Sequence, residues 1–279
     1  MSKRVKHIFA LLLALAMVLS VSISASAASS NTTVLKNIPD TFLYIMNTHP
    51  IVDQGPIAIS QATLTENGTD TPIYFIALHG TETSAYGESV DLTSDLQAGF
   101  DKDSTYKKDI IKDIKQDVPA GSNLVIAGHS LGGMDAQRVA ADPEIKNNYN
   151  VLYVTAIASP LLSYGETEGK VNRITEKADA VPYMSHYTLD NMDLQKSTRS
   201  EEHGSKYNII NAHTHSYEDT SVWGNYDAVG NKGGNAVITI DNNTTKIHSA
   251  PKYDWQQGKR IYFGFPWDGN NYKGISILY

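Results

Sequence analysis

The chain has 279 residues, no cysteine and an excess of acid: 30 Asp and Glu against 23 Lys and Arg, for a net charge of −7. Without cysteine there is no disulfide, no thiol nucleophile and no lipid-modified cysteine anchor. The acidic balance argues against nucleic acid or an anionic membrane surface as the main partner.

Residues 1–27 read as a secretory signal peptide. Lys3, Arg4 and Lys6 form a basic start, Ile8 to Val21 is mostly apolar, and Ala25-Ser26-Ala27 offers small residues for cleavage before Ala28. The apolar stretch is short for a spanning helix, and no later segment approaches transmembrane length. The expectation is a secreted protein, released without a stable membrane anchor. Taking 27 from 279 leaves residues 28–279, which is 252 residues and enough for a single α/β domain with a sizeable core. Without the three basic leader residues the balance is 20 against 30, or −10.

In chain order, Val34 to Thr48 carries apolar residues at near-helical spacing and predicts an N-terminal helix. Ile57 to Leu64 and Thr71 to Leu78 are strand-like, with Glu66-Asn67-Gly68 between them as a tight-turn signal. His79-Gly80-Thr81 follows, then a polar stretch without period from Glu82 to Asp95. Ser104 to Val118 is an amphipathic helix, with Tyr106, Ile110, Ile111, Ile114 and Val118 on one face.

Leu124 to Ala127 is an unbroken apolar run, as in a strand buried on both faces of a parallel sheet. Gly128-His129-Ser130-Leu131-Gly132 comes next and a helical segment begins at once. A serine between two glycines in a strand–turn–helix fits a nucleophile elbow, where the serine is strained and the flanking positions have no room for a Cβ. Gly132, Ala136 and Ala140 lie four apart, leaving one helix face small enough to approach the sheet. Asp142-Pro143 ends that helix.

Asn150 to Ile157 is a further buried strand, running into Ala158-Ser159-Pro160. Val171 to Thr175 is another, leading to Asp179-Ala180-Val181-Pro182. Ile209 to Ser216 is expected as a short last strand carrying His213 and His215. Val237–Ile240 and Thr245–His248 flank Asp241-Asn242-Asn243 and read as a hairpin, and the tail from Lys259 to Tyr279 is rich in Gly and Tyr. Strands alternating with helices predict an α/β fold of the α/β-hydrolase kind, a mainly parallel central sheet flanked by helices.

A serine hydroxyl is a poor nucleophile at neutral pH, so a base must take its proton and a carboxylate must orient the base. In the α/β-hydrolase arrangement these follow in the order Ser, Asp, His. Asp179 stands just after a strand, with Asp190 and Asp193 as later fallbacks. His213 and His215 come after every aspartate candidate; His186, His203 and His248 have poorer contexts. Charge that develops on the substrate carbonyl needs donors. The Leu131 N–H is one by the geometry of the elbow, and Thr81 in the loop after Leu78 is the natural second. Such a mechanism requires no cofactor and no metal. Two rivals stand beside it: a metal hydrolase using the His213-Thr214-His215 pair, and a binding module that keeps the fold without the chemistry.

The blocks Leu78-His79-Gly80-Thr81, G-H-S-L-G-G at 128–133, Ser159-Pro160, D-A-V-P at 179–182 and H-S-Y at 215–217 together resemble the fungal-type (class 3) lipases. The resemblance runs from Leu78 to Tyr217. It implies Ser130 as nucleophile, Asp179 as acid and His215 as base, with Leu131 and Thr81 as the oxyanion hole, in a lipase or esterase acting on lipid or short-chain acyl esters. His79 departs from the arginine of many members, and the gaps of four and two from His213 and His215 to Tyr217 differ from the usual three. A lid follows the oxyanion strand in those lipases. Here that stretch, residues 82–92, has four apolar residues and three carboxylates, which predicts weak interfacial activation. Leu161 to Glu168 is the alternative cover.

Overall fold

Thr32–Leu35 opens the folded chain as strand β1, in a computed structural model that describes residues 31–47, 57–80, 105–163, 165–167, 169–179, 181–183, 199–203, 209–248 and two short strands, Ile261–Phe263 and Ile275–Ile277. The expected leader at 1–27, Thr81, the 82–92 stretch, His186, Asp190 and Asp193 lie outside the described residues. The N-terminal helix is shorter than its periodicity predicts, because Asn37 divides the segment. The Asn37 side-chain oxygen accepts from the Asp40 amide at 2.9 Å and starts helix α1 (Ile38–Asn47), with Pro39 in the first turn where its missing N–H is harmless.

Strands β2 (Ile57–Glu66) and β3 (Thr69–Leu78) pair antiparallel over their whole length. The turn between them needs left-handed backbone at both central residues, and Asn67 and Gly68 supply it at φ 52° and 75°. Helix α2 (Thr105–Asp117) then leads to β4 (Asn123–His129), helices α3 (Leu131–Ala141) and α4 (Pro143–Asn148), and β5 (Asn150–Ile157). Strand β6 (Lys170–Glu176), a 3-10 turn at Val181–Tyr183 and β7 (Arg199–Glu202) follow. Beyond them come helix α5 (Ile209–His215), a 3-10 turn at Ser216–Glu218, helix α6 (Thr220–Trp223), β8 (Val237–Asp241) and β9 (Lys246–His248). The last two strands, β10 (Ile261–Phe263) and β11 (Ile275–Ile277), pair with each other in a separate sheet.

The fold is α/β, with a mixed sheet of nine strands in the order β1-β8-β2-β3-β4-β5-β6-β7 and β9 added alongside β2. The expectation of a mainly parallel sheet needs correction. From β3 to β7 the pairings are parallel, but β1, β8, β2 and β9 pair antiparallel and β2 joins β3 antiparallel. A two-residue turn can only reverse the chain, so β2 runs antiparallel to β3; β8 and β9 then pair antiparallel with β2, and β1 with β8.

The expected β8–β9 hairpin does not form either. Asp241 accepts from the Asn243 amide at 3.0 Å and caps a 3-10 turn at Asn242–Thr244, so the chain runs on. Strand β8 pairs with Ala62–Thr65 and β9 with Ile57–Ile59, end to end along β2. The Thr244 hydroxyl bridges the gap by accepting from the Gln61 amide at 2.9 Å.

Residues alternate cleanly across the sheet. Phe75, Ala77, Val125 and Ala127 point to one face, where Phe42 and Ile45 of α1 and Trp223 of α6 cover them. Ile76, Leu78, Leu124 and Ile126 point to the other, under Ile110 and Ile114 of α2 and Val139 and Ala140 of α3. Continuous apolar strands are buried on both faces, as a helix-flanked sheet requires.

Candidate active site

Register brings the C-terminal ends of the parallel strands to one edge: Leu78 lies beside Gly128, His129 beside Ile157, Ile157 beside Ile174 and Glu176 beside Glu202. Ser130 follows directly after β4 and Asp179 comes three residues after β6, both just past that edge.

Ser130 follows β4 with φ 56° and ψ −121°, a left-handed backbone that a side chain rarely adopts. Its amide donates to the Ile157 carbonyl at 2.9 Å, and its carbonyl accepts from Met134 at 3.1 Å, so the strained residue is fixed on both sides. A Cβ on Gly128 would strike the Gly132 backbone, and one on Gly132 would strike the carbonyls of Leu78 and His79. A Cβ on Gly80 would sit 2.9 Å from the Ser130 Cβ. Glycine is therefore required at these places by close backbone approach. The Ser130 side chain makes no capping bond to α3 and is left for other work. Behind the turn, the buried Gln137 donates to the Pro160 carbonyl at 2.9 Å and accepts from the Leu162 amide at 3.1 Å, which ties the Ser159-Pro160 block to α3.

His213 joins the serine to the acid. Its Nδ1 lies 3.0 Å from Asp179 Oδ2 and 3.2 Å from Oδ1, and its Nε2 lies 3.0 Å from Ser130 Oγ. A carboxylate only accepts, so the ring proton sits on Nδ1 and Nε2 is the acceptor facing the hydroxyl. Asp179 is buried, and three donors meet it: His213 Nδ1–H, the Val181 amide at 2.9 Å and the Tyr217 hydroxyl at 2.8 Å. A buried carboxylate without such donors would be strongly disfavoured. Tyr217 is itself fully buried, and its oxygen accepts from the Glu176 amide at 3.0 Å. Burial, and then the negative charge of Asp179, push the phenol well above its ordinary value near 10, so it remains a donor.

The resemblance implied His215 beside Ser130 and Asp179, but the structure brings His213 there instead. His215 is more than a third exposed, and its Nδ1 lies 3.3 Å from Glu218. The reason is the period of the segment. As a strand, Ile209 to Ser216 would send residues 213 and 215 to the same face. As helix α5 it turns them roughly 200° apart, so only one can reach Asp179. The gap of four from His213 to Tyr217 is then about one helical turn, which brings both side chains to the same carboxylate. The same geometry splits the proposed metal pair: both His213 nitrogens are engaged within the site and His215 points to Glu218. Among the described residues no group of three or more His, Asp or Glu is arranged to hold a metal ion, and no helix is long and apolar enough to cross a membrane.

Leu131 begins α3 directly after Ser130, and its N–H belongs to the first turn, where amides have no partner within the helix. Thr81, the other oxyanion candidate, lies outside the described residues. His203 pairs with the buried Glu176 at 3.0 Å, and His248 lies 2.5 Å from Asp117. In the alternative cover at Leu161 to Glu168, Leu161 and Leu162 are buried, and Tyr164 and Glu168 lie outside the described residues. Tyr217 is the residue missed from sequence: it stood within the quoted H-S-Y block, but only helical spacing reveals that it serves Asp179. Comparison of the chain with protein-family models, with curated proteins and with solved structures found no match.

Proposed function

We propose that this chain is a secreted serine carboxylic ester hydrolase of the α/β-hydrolase fold, akin to the fungal-type lipases and acting on lipid or short-chain acyl esters. The observation that carries the reading is the continuous path from Ser130 Oγ through the two His213 nitrogens to the buried Asp179. Ser130 Oγ attacks the ester carbonyl as His213 Nε2 takes its proton, and Asp179 steadies the imidazolium that results. The carbonyl oxygen gains negative charge and is held by the Leu131 amide, with Thr81 as the second donor. Collapse breaks the ester C–O bond, and the departing alcohol receives the proton from Nε2. Water then attacks the acyl-serine with His213 again as base, releasing the acid and restoring the hydroxyl.

A fluorophosphonate probe tests this directly. One equivalent should bind at Ser130, with the rate unchanged by a chelator. Ser130→Ala should abolish both labelling and ester hydrolysis while unfolding at nearly the same temperature. Labelling of that variant at the original rate, or hydrolysis that a chelator stops, would overturn the mechanism.

A further inference from the structure

We infer that His129 is a positioning residue, which holds the main chain of His213 while its neighbour Ser130 engages the ring of that same histidine. The kinetic part of this inference rests on the hydrolase reading above; the structural part does not. His129 Nε2 lies 3.0 Å from the His213 carbonyl oxygen, and the two rings are 4.7 Å apart at 35°. The ring is buried, with the edge of Phe42 against it at 5.2 Å and 79°.

The need for such a hold follows from the element that carries the base. Helix α5 has seven residues, too few to be stable alone, and the carbonyls of its last turn lack partners within the helix. His213 is in that last turn. Asp179 fixes its side chain at Nδ1, which leaves the backbone free to pivot about the imidazole. The bond from His129 removes that freedom at the opposite end of the residue. Because His129 and Ser130 are consecutive, the strained turn that aims the nucleophile also sets the height of the base.

The chemistry of the bond specifies the state of His129. A carbonyl only accepts, so His129 carries its proton on Nε2. Burial, and after it the neighbouring His213, push the His129 imidazole well below its ordinary range, so the ring stays neutral. Neutrality matters here: a cation 4.7 Å away would oppose the positive charge that His213 acquires during attack.

If the ring were only filler, any apolar side chain of similar size would serve. His129→Leu keeps apolar volume and removes the donor, whereas His129→Gln can return an amide N–H to the position of Nε2. With the full chain at neutral pH, two readouts are followed: the low-field NMR signal of the His213 Nδ1 proton, and ester hydrolysis with fluorophosphonate labelling. His129→Leu should lower kcat and the labelling rate by about 10- to 100-fold with KM within about twofold, and should broaden or erase the Nδ1 signal. His129→Gln should restore both. A native signal and native kcat in the leucine variant would overturn the inference, as would a glutamine variant no better than leucine. Should the leucine variant fail to fold, nitrogen-15 spectra of the unaltered protein decide, since an Nδ1–H tautomer at His129 is incompatible with the bond. An unaltered protein that resists the probe would refute the hydrolase reading, and the Nδ1 signal of the leucine and glutamine variants would then judge His129 by itself.

Discussion

The two halves of the sheet differ in strand direction and in what they carry. On one side, β1, β8, β2 and β9 run antiparallel to their neighbours and carry none of the Ser130, Asp179 and His213 constellation. On the other, β3 to β7 run parallel and deliver all of it to a single edge. Parallel strands must be joined by crossovers, so their C-terminal ends emerge together and each opens into a connection that can carry chemistry. Backbone strain follows the same division. In the antiparallel half the left-handed residues include Asn67 and Gly68, both suited to a tight turn, and Gly230 and Gly233 ahead of β8. In the parallel half they include Ser130 and Ala158, each just past the end of adjacent strands β4 and β5, where neither side chain favours that backbone. One half holds; the other half aims.

The sharpest way to break this comparison is at the base. His213→Ala should lower kcat by about 10⁴-fold or more, because the members of a triad act as a unit. His215→Ala should stay within about threefold of the unaltered protein, its only described partner being Glu218. Steady-state kinetics on a soluble ester reads both, and a reversed pair of results would return the base to His215.

A change in the holding half should act on stability alone. Ile240 of β8 is fully buried, and Ile240→Ala should lower unfolding free energy by about 2–5 kcal/mol. Assayed well below its melting temperature, the variant should keep its kcat. A large fall in kcat at full folding would show that the antiparallel half also shapes the site.

The smallest effect belongs to the edge of the aiming half. Glu202 of β7 is held below the usual carboxylate range, first by the hydrogen bond from Lys232 and then by that from Tyr226. A depressed folded-state value means stability that is present above the unfolded value near 4.3 and is lost as pH falls through the folded one. Melting temperatures of the unaltered protein and Glu202→Gln should therefore differ near neutrality, by no more than about 2 °C for so exposed a pair, and the gap should shrink as pH falls below the unfolded value. A gap that does not shrink on acidification would contradict this.

What was legible in the chain depended on period and on turns. Val125 and Ile126 announced a strand buried on both faces, and Asn67-Gly68 announced a reversal, because each signal is local. The elbow was legible for the same reason: its strain, its two glycines and its helix all fall between Gly128 and Ala141. Direction across the sheet was not local. Nothing in Val237–Ile240 or Thr245–His248 tells whether two short runs pair with each other or with a third strand, and β2 won that competition. Which histidine meets Asp179 was hidden by a different ambiguity. Ile209 to Ser216 is a short segment whose apolar Ile209, Ile210 and Ala212 suit strand or helix, and the choice decides which histidine faces inward.

The glycines around the elbow have a consequence for anyone who would redesign this protein. At positions 80, 128 and 132 main chain meets main chain or the Ser130 side chain, and no larger residue has anywhere to go. Saturation libraries at these codons should therefore return glycine alone, whatever substrate is selected for. The place of Ser130 is not a variable that selection can adjust by degrees. New specificity has to be written into the connections that surround it, on a hinge of bare backbone that tolerates no editing.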